Sequence, residues 1–132
     1  MKKDRGEKRT YTIIPATVQV MDKSIRQPLG RQAQQGQHVM GKYMYKLAQE
    51  QLDPLTPWLA TTGITKTCRD SKELGHIIYL LGKERIQFEI FLDDNPDYNM
   101  TSLMTAICTE PVYKDQVTGI LDYLPLWPGE QR

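Results

Sequence analysis

Cys68 is the residue best placed by type and spacing to do chemistry. It stands in "TKTCRDS", just before the start of a predicted helix. There the helix dipole and the neighbouring Lys66 and Arg69 would lower a thiol's pKa and favour the nucleophilic thiolate. His76, further along the same segment, could serve as the base of a cysteine–histidine dyad. No motif reinforces that pairing, and a histidine inside "ELGHIIYLL" is by default an edge residue of a packed helix. No nucleophile elbow, phosphate-binding loop or dinucleotide glycine fingerprint occurs, so no catalytic residue is assigned and no cofactor is expected.

Metal chemistry has less support. Cys68, Cys108, His38 and His76 lack the close pairs of a zinc site. "DDNPDYN" places Asp93, Asn95 and Asp97 at the alternating spacing that opens a calcium-binding loop. Tyr98 then replaces the required glycine and Met104 the bidentate glutamate. The segment reads instead as an Asp- and Asn-rich turn, and no metal ligand is assigned.

Charge is more informative. Residues 1–52 hold ten Lys and Arg against four Asp and Glu, a balance of +6. Residues 53–132 hold seven against twelve, a balance of −5, so the net +1 conceals an asymmetry. Such a split implies a surface for a polyanion, a charge-complementary contact, or halves that interleave and neutralise each other. Arg26, Arg31, Lys42, Tyr45 and Lys46 are the candidate binding residues of the basic half, with Trp127 as a candidate anchor near the C-terminus. Interleaved basic and aromatic side chains suit nucleic-acid backbones and bases. The overall pI of about 7.7, however, is below that of a dedicated nucleic-acid domain.

These residues must be positioned by a chain of 132 residues, enough for one domain with a core of its own. Residues 1–9 are nearly all charged and are expected as a flexible basic tail; 10–124 form a single domain, and 125–132 an extended tail. "YTIIPATVQVM" alternates as a strand, with Pro15 placing it at a sheet edge or delaying its pairing. The segment from about Asp22 to Gln37 has no period and reads as a long loop. Val39, Tyr43 and Leu47 then mark a helix face, and Thr56–Gly63 a short second helix.

Asp70 and Glu73 form a capping box ahead of a Leu74–Ile77–Ile78–Leu81 face, with Gly82 at its C-terminal stop. Ile86, Phe88, Ile90 and Leu92 follow as one face of a strand. "TSLMTAIC" is expected as a short helix with a strand as the alternative, and residues 111–124 as a helix weakened by Gly119.

The sum is an α+β fold: a small antiparallel sheet of two or three strands packed against three or four helices. Neither a membrane span nor a secretory signal is expected, and two unpaired cysteines fit a reducing cytoplasm. The expected function is that of a non-enzymatic accessory or regulatory protein that binds another protein or itself as a homo-oligomer. A nucleic-acid binder using the basic half is the rival reading, and a small enzyme with a reactive cysteine the third.

Overall fold

β-Branched residues dominate Arg9–Val20 (β1), and this twelve-residue strand is the spine of the fold. The computed structural model describes residues 6–20, 23–49, 62–95 and 100–129. Lys23–Arg26 (β2) folds back antiparallel on the end of β1, pairing Thr17 with Arg26. Leu29–Gln49 (α1) follows as a 21-residue helix. Thr62–Asp70 (β3) runs parallel to β1, with Ile13 opposite Lys66. Ser71–Lys83 (α2) leads into Phe88–Asn95 (β4), which pairs antiparallel with Met100–Thr109 (β5). β5 closes the sheet through Thr12–Cys108 and Ile13–Ile107.

Ile13 has partners in both β3 and β5, so these strands flank β1 on opposite edges. Successive β1 side chains therefore feed two separate cores. Tyr11 and Ile13 pack with Ile107 against Leu74, Ile77 and Leu81 of α2. Ile14 packs with Ala106 and Cys108 against Val39 and Tyr43 of α1. One helix covers each face.

This architecture corrects the expected one. Among the described residues the sheet has five strands rather than two or three. Two α-helices occur among the described residues, rather than three or four. β3 was hidden in "TGITKTCRD", whose Thr and Ile content is the β-branched signal for a strand. β5 replaces the helix expected at "TSLMTAIC": Thr105 to Thr109 are all buried, so both faces are covered and no alternation betrays the strand. Pro15 lies in the most heavily paired strand, opposite Cys68, and its carbonyl accepts from Gln27 Nε2 at 2.9 Å.

The segment 111–124 is likewise not an α-helix. It holds a 3-10 turn at Lys114–Val117, followed by further turns. Gly119 adopts φ +81°, outside the helical region, and its amide donates to Asp122 Oδ1 at 2.7 Å. The expected apolar residues Val117, Ile120, Leu121 and Leu124 are still buried, beneath α2's side of the sheet. The helix expected at 56–63 lies outside the described residues except at its end, where Thr62 and Gly63 begin β3.

α2 is capped as its sequence predicts at one end and differently at the other. Asp70 Oδ1 accepts from the Glu73 amide at 2.9 Å, and Glu73 Oε1 accepts from the Arg69 amide at 2.8 Å. At the C-terminus the left-handed residue is Arg85, at φ 59°, rather than Gly82. Arg85 N–H donates to the Gly82 carbonyl and Ile86 N–H to the Leu81 carbonyl, each at 3.0 Å. Those two bonds form a Schellman stop, with buried Ile86 and Leu81 as its apolar pair.

Candidate functional site

The long loop expected to Gln37 is in fact β2 and the first half of α1. The inward face of that helix is Gln32, Gln35, Val39 and Tyr43, all buried, with Gly36 between them. A Cβ at Gly36 would lie 2.9 Å from Ile14 Cδ1, so glycine lets the helix approach β1 closely. The helical period was present, but glutamine and glycine occupied the positions where apolar residues are normally sought.

The first buried glutamine belongs to an amide relay. Gln27 Nε2 donates to the Pro15 carbonyl at 2.9 Å, and Gln32 Nε2 to the Gln27 carbonyl at 2.8 Å. The relay turns Gln32 Oε1 outward, where it accepts from Trp127 Nε1 at 3.0 Å. The backbone beside that indole is fixed as well. Thr67 N–H donates to the Pro125 carbonyl at 3.0 Å, and Trp127 N–H to the Thr65 carbonyl at 2.9 Å. Residues 125–127 thus add a short antiparallel stretch to the outer edge of β3, with Lys66 opposite Leu126. The Gly129 amide, 2.7 Å from the Leu126 carbonyl, closes a turn after Trp127.

Beside Trp127 is a cleft of about 230 Å³ between α1 and the sheet. Ile14, Met40 and the indole supply its apolar walls, and Ala33 and Gly36 make the helix surface shallow there. Thr12, Thr65 and Gln37 supply the few polar groups. A mostly apolar concavity with a few polar groups is suited to an apolar group of side-chain size. The sequence pattern that could have revealed it is Ala33 and Gly36, small residues three apart, with Met40 one turn on.

The other candidate residues lie elsewhere. Arg26 ends β2 and is exposed, and Arg31 lies half-buried in the first turns of α1. Lys42 and Lys46 are ten or more residues along the helix from Gln32, about 15 Å at the rise of an α-helix. Both meet Glu89 of β4, at 3.5 and 3.3 Å, and Lys42 Nζ also donates to the Ile90 carbonyl at 3.0 Å. Tyr45 is exposed, its hydroxyl accepting from Gln49 Nε2 at 3.1 Å. The six residues therefore do not converge on one site.

The lysine contacts belong to a longer ladder between α1 and β4. Lys42 and Lys46 face Glu89, and His38 meets Phe91 edge-on at 5.0 Å between ring centroids. Gln35 Nε2 donates to Asp93 Oδ2 at 2.9 Å. Four residues of helix rise about 6 Å and two residues of strand about 6.7 Å, so the two spacings stay in step. At this interface two lysines of the basic half share one carboxylate of the acidic half.

The sulfur chemistry differs from the expectation for Cys68. That thiol is buried beneath α2; desolvation pushes its pKa up, with Glu73 and Asp70 adding to the shift. Burial also pushes the Cys108 thiol up to about 12, against the lowering effect of a 3.6 Å contact from Thr12 Oγ1. The two thiols belong to cores on opposite faces of the sheet and are unpaired. His76, the proposed base, is exposed on α2.

Among the described residues no group of His, Cys, Asp and Glu could hold a metal ion, and no helix is long and apolar enough to cross a membrane. Comparison with protein-family models and with curated proteins finds no match for this chain.

Proposed function

We propose that this chain is a non-enzymatic, cytoplasmic accessory or regulatory protein that binds another protein by taking one of its apolar side chains into the cleft beside Trp127. The observation that carries this reading is the cleft itself: about 230 Å³, open to solvent and mostly apolar. The small side chain of Ala33 leaves room for a foreign group, while Thr12, Thr65 and Gln37 offer it hydrogen bonds. The two buried, protonated thiols suit a reducing compartment and do not favour the reactive-cysteine alternative. The nucleic-acid reading ranks below protein binding because Lys42 and Lys46 already share Glu89.

A randomised peptide panel selected on the wild-type protein tests the proposal. Enriched peptides should share a bulky apolar anchor. Their affinity, measured by calorimetry, should fall at least tenfold for Ala33→Trp, which fills the cleft, provided its melting curve matches wild type. Equal affinity for the filled variant, or no enrichment at all, would remove the proposal.

A further inference from the structure

We propose that the outer edge of β3 is a strand-addition site for an extended peptide bearing a tryptophan, and that residues 125–129 are a strap competing for it within the chain. The inference rests on the protein-binding reading above and names the class of partner segment.

The strap itself shows what the site accepts. It lies antiparallel on β3, taking the Thr65 carbonyl and the Thr67 amide, and places an indole N–H on Gln32 Oε1. That acceptor is built in advance: Gln32 is buried and oriented by its own donation to Gln27, which is in turn tied to Pro15. A fixed acceptor favours a side chain carrying an N–H over one of similar size without it, because the unmatched group would leave the acceptor unpaired. Backbone pairing along an edge together with a side-chain anchor is how strand-addition sites combine affinity and selectivity.

Among the described residues, the strap uses this edge incompletely. Strand alternation turns the backbone groups of Gly63, Thr65, Thr67 and Arg69 to the same side. At the far end Glu73 Oε1 occupies the Arg69 amide, which closes the edge there. Towards Gly63 the strap turns away, because the Gly129 amide bonds back to the Leu126 carbonyl. The outward side chain of Leu126 remains 64% exposed. A partner strand without that turn can continue along Gly63 and gain ladder bonds that the strap does not make. That advantage opposes the high effective concentration of a tethered competitor.

The same consideration separates a foreign strand from a second copy of this chain. A second copy carries the same turn and gains no added pairing. It must also outcompete the tethered strap.

The test uses the full chain, labelled with nitrogen-15, and the hexapeptide Pro-Leu-Trp-Thr-Val-Thr, which repeats residues 125–127 and replaces the turn with strand formers. Titration should move the Trp127 indole resonance to its free position and slow hydrogen exchange at the Gly63 amide. Trp127→Ala, which removes the competitor's anchor, should bind the peptide at least tenfold more tightly. Gly129→Ala is the second variant: its Cβ would lie 2.5 Å from the Leu126 carbonyl oxygen, so the turn must open while the indole is kept. It should bind several-fold more tightly than wild type.

An indole resonance that stays in place at saturating peptide would overturn the strap. So would equal peptide affinity in the wild type and both variants. Growth of a dimer with concentration, the indole remaining bonded, would replace the foreign strand with a second copy. Displacement of the strap with unchanged peptide affinity in Ala33→Trp would uphold this inference and overturn the cleft reading.

Discussion

α1 and α2 cover opposite faces of one sheet, but their sequences secure them by different means. α2 is specified locally: an N-cap at Asp70, a Schellman stop at Arg85, and Leu74, Ile77 and Leu81 fully buried between them. α1 has no acidic residue in its first turn, two buried glutamines on its inner face, and a glycine at its closest approach to β1. Much of what fixes it is supplied by other elements: the Gln27 and Pro15 carbonyl relay, Trp127, and the Glu89–Phe91–Asp93 ladder of β4. A helix defined by its own apolar stripe can nucleate with its neighbours absent in part. A helix defined by polar partners is correct only once those partners are in place. The difference teaches that α1 is held largely by polar groups that other elements supply, and α2 by its own apolar stripe.

The largest expected effect is on α2. Leu74→Ala removes a side chain with no solvent exposure, and a large-to-small change at such a site costs about 3 kcal/mol. Val39→Ala, at an equally buried site of α1, deletes less apolar volume and should cost about 2 kcal/mol. Urea unfolding at a common pH measures both. If Val39→Ala proves the more damaging, the α1 layer is the more cohesive of the two and the comparison fails.

The thiols report on the two layers separately. Cys68 lies in the core beneath α2 and Cys108 in the core beneath α1. Opening of the less cohesive layer should expose Cys108 alone, so a disulfide reagent should label it well before Cys68 under native conditions. Simultaneous labelling would mean that both layers open only by global unfolding. Titration gives a second check. Both folded thiols have raised pKa values, so each adds stability that is complete below about pH 9 and declines as pH rises towards the folded value. Above pH 9 the slope approaches about 1.4 kcal/mol per pH unit for each thiol. Cys108→Ala should remove one thiol's share of that slope, seen in unfolding midpoints collected from pH 7 to 10.

The same contrast explains what could be read in the sequence. α2 is legible at its start and along its buried face because Asp70, Glu73 and the Leu74–Leu81 stripe are local signals. Its stop was misplaced by three residues, since Arg85 adopts a backbone conformation for which glycine is the usual marker. β5 was obscured by burial on both faces. At Thr105 an extra residue in β5 shifts its register against Phe91 and Leu92. The first half of α1 reads as a loop in sequence because Gln32, Gln35 and Gly36 hold core positions whose partners come from remote elements. Trp127 stands out as an aromatic near the C-terminus, but its acceptor, Gln32, is 95 residues away and no local pattern joins them. Lys42 and Lys46 stood out as cations, while Glu89, which links them, looked like the polar face of a solvated strand.

The smallest expected effect tests that last ladder. Glu89→Gln keeps the side chain's size and much of its hydrogen-bonding capacity, including an acceptor for the Ile90 amide, and removes the charge shared by Lys42 and Lys46. Both lysine side chains are about half exposed, at 49% and 57%, so solvent screens the pairs strongly. The expected cost is about 0.5–1 kcal/mol in dilute buffer. It should nearly vanish at about 1 M salt, where the screening length is about 3 Å. The loss should fall on one layer only. Reagent labelling of Cys108 should accelerate several-fold in the variant while that of Cys68 stays constant, because Glu89 pairs with lysines of α1. Equal acceleration at both thiols would mean that the ladder stabilises the whole sheet rather than the layer it faces.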